Sequence, residues 1–311
     1  MHIRTYLLCL ILTAAQAASL THADEVTLRY KGLTLNADLT LAPGKTVSDE
    51  VILITHGSLA HRDMETIVSF RTLLNERGYN TLAINLGLGL DNRHGMYECK
   101  TTHRHKNDDA VNEIGVWIDW LKGRGAKAVS LLGHSRGGAQ TALYAAERDS
   151  PLLKAVVLLA PAIQDNNSAA AYQRRFKTAL APTLNKARKL IQQGKGDTVL
   201  NHTSLINCAD TQVTAETFAS YYGGDPRLDT LHLLPKINKP TLVLVAEKDE
   251  IVVGLEKKVA PLAKRTRIQI KVISGADHFF RDLNADEAVD AMDAFLKRIG
   301  PKKDRLILSR S

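Results

Sequence analysis

No run of the sequence is long and apolar enough to cross a bilayer; the most hydrophobic stretch, Tyr6–Ala15, is too short. Aromatic residues are sparse, at 5% of the chain. The 41 basic residues, set against 33 acidic ones, are spread along the chain and form no basic stripe interleaved with aromatics. That pattern argues against a nucleic-acid partner and leaves the formal charge of +8 as a soluble basic surface. Repeats and low-complexity tracts are absent. Cysteines number three. Cys9 lies in the N-terminal apolar stretch, too early for a lipoprotein anchor. Cys99 and Cys208 therefore allow one bridge across a long loop, or remain two unpaired thiols.

What is present starts with an export leader. Arg4 is its positive start, Tyr6–Ala15 its apolar stretch, and Ala15-Gln16-Ala17 and Thr21-His22-Ala23 its small-residue cleavage points. The reading is a signal peptide over residues 1–23 and a periplasmic or secreted mature chain. Removing Arg4 lowers the formal charge from +8 to +7. With 44% apolar and 24% charged residues over its 311 positions, the chain is ordinary globular sequence, long enough for one large core or two modest ones.

The mature chain is organised around Gly133-His134-Ser135-Arg136-Gly137-Gly138. Ala128–Leu132 before it is strand-like, and Ala139–Glu147 after it is rich in helix formers. Ser135 thus falls on a tight strand-to-helix turn. Such a turn needs small residues two positions either side, which Gly133 and Gly137 supply. The plainer alternative is a serine that only caps the helix.

Around this turn, strand and helix patterns alternate. Val26–Tyr30 and Leu33–Leu41 read as a hairpin turning at Lys31-Gly32. Val51–Thr55, Asn80–Ile84, Ala155–Ala160, Thr241–Ala246 and Ile268–Ile273 read as buried strands. Met64–Arg77, Asp108–Lys122 and Asn284–Arg298 carry apolar residues at helical spacing. A mostly parallel, doubly wound α/β sheet with helices on both faces follows. The alternation fails from Pro161 to Lys239. There Ala169–Gln193 and Ala215–Tyr222 read as helices of an inserted cap at about 162–238, the plainer alternative being a disordered or loosely packed excursion.

Ser135, Asp249 and His278 fall at the carboxyl ends of successive strands, the edge where such sheets bind ligands. The quartet Gly133–Gly138, His56-Gly57-Ser58, Glu247-Lys248-Asp249-Glu250-Ile251-Val252 and Gly275-Ala276-Asp277-His278-Phe279-Phe280 resembles the α/β-hydrolase family over nearly the whole mature chain. The resemblance implies a serine hydrolase acting on carboxylic esters through an acyl-enzyme. Ser135 is then nucleophile, His278 base and Asp249 orienting acid, with the N–H groups of Ser58 and Arg136 as oxyanion donors. Asp165 is another point from which this fold can supply the acid. A peptidase, amidase or thioesterase of the same fold, and a non-catalytic binding protein on a hydrolase scaffold, are the alternatives.

His134 is expected to pack and hydrogen-bond, His56 to brace the oxyanion loop, and Asp277 to cap a turn. Arg136 either grips an anionic substrate or, the preferred expectation, pairs with an acid from the cap. The loop His94–His105 reads as a solvated basic loop, since His103-x-His105 is too short a cluster to argue for a metal. The expected partner is a small ester, with no nucleic acid, no stable membrane anchor, no cofactor and no metal.

Overall fold

The computed structural model describes residues 23–148, 150–265 and 267–300. The expected leader, apart from Ala23, and residues 301–311 lie outside the described residues. Strands β1 (Asp24–Tyr30) and β2 (Leu33–Thr40) form an antiparallel hairpin. Its turn, Lys31-Gly32, takes positive φ at both residues, 47° and 83°, as a two-residue hairpin turn requires.

Strand β3 (Glu50–Thr55), helix α1 (Glu65–Glu76), strand β4 (Asn80–Asn85), helix α2 (Asn107–Gly123), strand β5 (Ala128–His134), helix α3 (Arg136–Glu147) and strand β6 (Leu153–Leu159) follow in alternation. After an insertion come strand β9 (Thr241–Ala246), helix α8 (Leu255–Val259), strand β10 (Ile268–Ile273) and helix α9 (Leu283–Ile299). The insertion itself holds helices α4 (Ala169–Phe176), α5 (Leu180–Gln192), α6 (Ala215–Tyr222) and α7 (Thr230–Leu233). Between α5 and α6 stands a separate hairpin, β7 (Val199–Leu205) and β8 (Cys208–Thr214).

The main sheet has eight strands in the order β1-β2-β4-β3-β5-β6-β9-β10. Only β1 and β2 run antiparallel to their neighbours. Because strand side chains alternate between faces, Val51 and Leu53 join one buried cluster and Ile52 and Ile54 the other. The first cluster takes Ile114, Trp117 and Leu143 from α2 and α3; the second takes Phe70, Val289 and Met292 from α1 and α9. This two-sided burial explains the unbroken apolar runs of the central strands. The insertion packs into the first cluster through Tyr172, Phe218 and Tyr221.

Two features depart from the expected insertion. The helix expected over Ala169–Gln193 is two helices, broken at Lys177, which takes φ 56°. The hairpin β7–β8 carries no sequence signal of its own: Asn201, His202, Ala209 and Asp210 all face solvent, so little apolar alternation marks it. A disulfide, Cys99–Cys208, ties this hairpin to the loop after β4. Two backbone bonds add to it, His103 N to Gln212 O at 2.8 Å and Thr214 N to His103 O at 3.0 Å. No described helix is long and apolar enough to cross a membrane.

Candidate active site

Ser135 is the single residue between β5 and α3. It adopts φ 55°, ψ −120°, a region disfavoured for residues with a Cβ and usually held only where surroundings enforce it. The enforcement is visible. Its N–H donates to Leu159 O at 2.9 Å, and its carbonyl accepts from Ala162 N at 2.9 Å, so the end of β6 and the loop after it clamp the turn. A Cβ on Gly133 would stand 2.5 Å from Thr141 Oγ1, and one on Gly137 would overlap the main chain of Thr55 and His56. Only glycine lets α3 approach β3 and β5 this closely.

The loop after β9 carries Asp249 and the loop after β10 carries His278. His278 Nδ1 lies 2.8 Å from Asp249 Oδ2, with side chains 5% and 3% exposed. The other carboxylate oxygen accepts from Ile251 N at 2.8 Å and Val252 N at 2.7 Å. Burial works to raise the Asp249 pKa, but the His278 hydrogen bond and charge and these two amides outweigh it and hold the carboxyl below its usual range. An ionised carboxylate only accepts, so Nδ1 carries the proton and Nε2 is the free basic nitrogen. Asp277 caps its turn through Phe279 N at 2.9 Å. Asp165, the other position for the acid, instead pairs with Lys258 at the surface.

Ser135 and His278 line one cavity of about 290 Å³. Among the described residues no hydrogen bond joins the two side chains directly; they meet as walls of the same cleft. Ser58 and the residue after the serine, Arg136, line it too. Neither of their main-chain N–H groups has an acceptor among the described residues, as the first turn of a helix leaves its amides free. His56 holds the Ser58 loop. Its Nδ1 donates to Gly57 O at 2.9 Å, while Nε2 accepts from Leu86 N at 3.1 Å and from Arg93 at 3.2 Å. Burial, with Arg93 beside it, drives the His56 pKa down to about 3, so it stays neutral.

Sequence reasoning missed Arg93. This buried guanidinium bonds Leu86 O, Ala60 O, Gly95 O and Asn85, and so fixes the loop facing the cavity. It stands one position before the His94–His105 stretch, between exposed Asp91, Asn92 and His94, so no sequence signal marks it.

The expectation of a solvated loop at His94–His105 is overturned. His103 and His105 are 0% and 1% exposed. They bond each other at 3.0 Å, and His105 bonds Tyr221 at 2.7 Å. The hairpin tied by the disulfide pairs with the main chain of His103, and Tyr221 of α6 bonds His105, so the insertion takes both side chains out of water. Among the described residues no cluster of three or more His, Cys, Asp or Glu has the arrangement of a metal site.

Pairing of Arg136 with an acid of the insertion is also overturned. Its Nε donates to Ser58 Oγ at 3.1 Å and its Nη2 to Asn167 Oδ1 at 3.0 Å, and its guanidinium lies 5.1 Å from the centre of the Tyr221 ring. The insertion offers it the amide of Asn167 and the ring of Tyr221, not a carboxylate.

Residues 46–281 match the family described as serine aminopeptidase, S33. Among solved structures, the chain is similar to Est1E from Butyrivibrio proteoclasticus, at 19% identity and TM-score 0.64, covering 88% of this chain and 98% of that one. It is similar to the α/β hydrolase GrgF from Penicillium sp. sh18, at 16% identity and TM-score 0.66, covering 89% and 98%. It is similar to the monoacylglycerol lipase of Paleococcus ferrophilus, at 20% identity and TM-score 0.58, covering 86% and 99%. At these identities the structural likeness is one of fold. The family match, which spans the serine turn, the acid and the imidazole, assigns more: the chain belongs to the serine aminopeptidase S33 family of the α/β-hydrolase superfamily.

Proposed function

We propose that the protein is an exported serine hydrolase cleaving carboxylic esters, with Ser135 as nucleophile, His278 as general base and Asp249 as its orienting acid. The observation that carries this reading is the buried 2.8 Å contact between Asp249 and His278 on the wall of the cavity that the strained Ser135 also lines. His278 Nε2 removes the hydroxyl proton as Ser135 Oγ attacks the ester carbonyl. The N–H groups of Ser58 and Arg136 receive the developing oxyanion, each such donor contributing roughly 3 kcal/mol. The alcohol leaves with the proton from His278, and water activated by the same nitrogen releases the acid.

Esters fit better than the N-terminus of a peptide. An aminopeptidase must accommodate a cationic ammonium, and the cavity wall presents Arg136 and Arg175 but, among the described residues, no carboxylate. The names of the similar solved structures point the same way: one is a monoacylglycerol lipase. Export is supported by the leader pattern and by the disulfide, which persists in oxidising compartments. The test is a fluorophosphonate probe with a panel of p-nitrophenyl esters. Labelling and turnover by the wild type, both lost in Ser135→Ala, support the hydrolase. A folded wild type that neither labels nor turns over esters is a binding protein on this scaffold, and turnover of aminoacyl anilides in preference to esters restores the peptidase.

A further inference from the structure

Arg136 is unlike the other arginines held inside this fold. Arg62 is held by Glu25 and Asp38, Arg71 by Asp38, and Arg77 by Asp286 and Asp290. Arg93 lacks a carboxylate contact but spends its guanidinium on three main-chain carbonyls and an amide oxygen. Arg136, 9% exposed, makes only two hydrogen bonds, both to neutral side chains. Its Nη1 has no acceptor among the described residues. A buried cation left without a counter-charge is costly. Here the group lines the cavity beside Ser135, and the ring of Tyr221 supports one face of it.

A second guanidinium stands on the same wall. Arg175, in α4 of the insertion, bonds Ile206 O at 2.6 Å and makes no ion pair among the described residues. Two cations and no acid in a cleft of about 290 Å³ make a field that favours an anion. The volume is at the lower end of small-molecule sites, so the ligand is small. The Arg fork, with one amino group unengaged, matches the planar geometry of a carboxylate.

We infer that the natural substrate carries a carboxylate a few bonds from the scissile ester, gripped by the unengaged side of Arg136 and assisted by Arg175. This deepens the hydrolase reading and rests on it for the reaction, but the carboxylate site itself is separable. The substrate class is the half-ester of a short dicarboxylic acid. Hydrolysis adds water across its acyl–oxygen bond and yields the dicarboxylate and the alcohol.

Two arms test it. The first compares kcat/KM for monoethyl succinate and monoethyl glutarate with ethyl butanoate and ethyl pentanoate, which carry a methyl where the acids carry carboxylate. The wild type should prefer the half-esters by about 10- to 100-fold, the range of a charge-assisted pair. The preference should collapse toward unity in Arg136→Met, survive in part in Arg136→Lys, and shrink several-fold in Arg175→Gln, whose exposed position makes folding secure. It should also weaken with added salt. Equal or poorer turnover of the half-esters by the wild type, or a preference that neither Arg136→Met nor Arg175→Gln moves, overturns the inference. The second arm titrates glutarate into the protein by calorimetry. Binding that Arg136→Met abolishes supports the carboxylate site even if no ester is turned over, an outcome that removes the hydrolase reading alone. Absence of glutarate binding to the wild type counts against the site.

Discussion

His134 Nε2 stands 3.0 Å from the main-chain oxygen of His278, so the neighbour of the serine fastens the loop that carries the imidazole. A carbonyl only accepts, so Nε2 donates and Nδ1, buried without a partner, is bare. Burial, with the nearby His278 charge, drives the His134 pKa down to about 4 and keeps this tautomer neutral. The rings are 4.9 Å apart. His134→Leu should therefore lower kcat about tenfold through misplacement of His278, in keeping with the sensitivity of turnover to small displacements. His134→Gln, which keeps a donor at a similar reach, should recover part of the loss. Equal kcat in wild type and His134→Leu would remove the tether from the account.

Asp249→Asn should leave the fold intact and lower kcat on an activated ester on the order of 10³- to 10⁴-fold, because an amide favours the wrong imidazole tautomer. Thermal unfolding alongside separates this from instability. A fall of less than tenfold would mean that another acid orients His278.

Gly137→Ala should cost more than ordinary overpacking, about 1–3 kcal/mol or beyond, because its Cβ would meet main chain rather than a side chain that can move. Denaturant unfolding reads this directly. By contrast, nothing lies within 4 Å of a Cβ on Gly275, and only its φ of 73° opposes substitution there. Gly275→Ala should therefore be the milder change of the two.

Replacing Cys99 and Cys208 together with serine should lower stability by about 2–4 kcal/mol, since the bridge closes a separation of 109 residues. The loss should fall on the contact between the hairpin and the loop. Hydrogen exchange should rise first at His103 and Thr214, whose amides bridge the two segments. Unfolding curves that coincide with and without the bridge would contradict this.

Stability should fall as pH drops below about 6.5. Burial lowers His56 and His105 to about 3, and His103 and His134 to about 4, from a usual 6.5. Below 6.5 the unfolded chain takes protons at these four positions that the folded protein refuses, so each pH unit lost favours unfolding. Glu113 opposes them. Burial raises it to about 7 from 4.5, so between pH 7 and 4.5 the folded state holds a proton that the unfolded state releases. Four groups outweigh one, and the net loss from pH 8 to 5.5 should be on the order of 3 kcal/mol. Urea midpoints across that range check it; a flat or rising stability toward pH 5.5 would show that these imidazoles are not buried neutral.

The serine turn was legible because its demand is local: a positive φ at Ser135 and a helix crowding two strands admit only glycine at 133 and 137, whatever the rest of the chain does. The unbroken apolar strands were legible for a similar reason, since a strand covered on both faces has no polar side to show. The fates of Arg136, His103 and His105 were not. An arginine beside a serine reads alike whether its partner is an aspartate, an asparagine or a ligand, and a His-Arg-His loop reads as wet until something covers it. What covers it is helix α6, through Tyr221, and a hairpin of mostly polar residues held by a disulfide to a cysteine 109 positions away. Sterics within a few residues wrote the fold into the sequence. Charge compensation and burial depend on which distant segments come to lie against each group, and only the tertiary structure decided that.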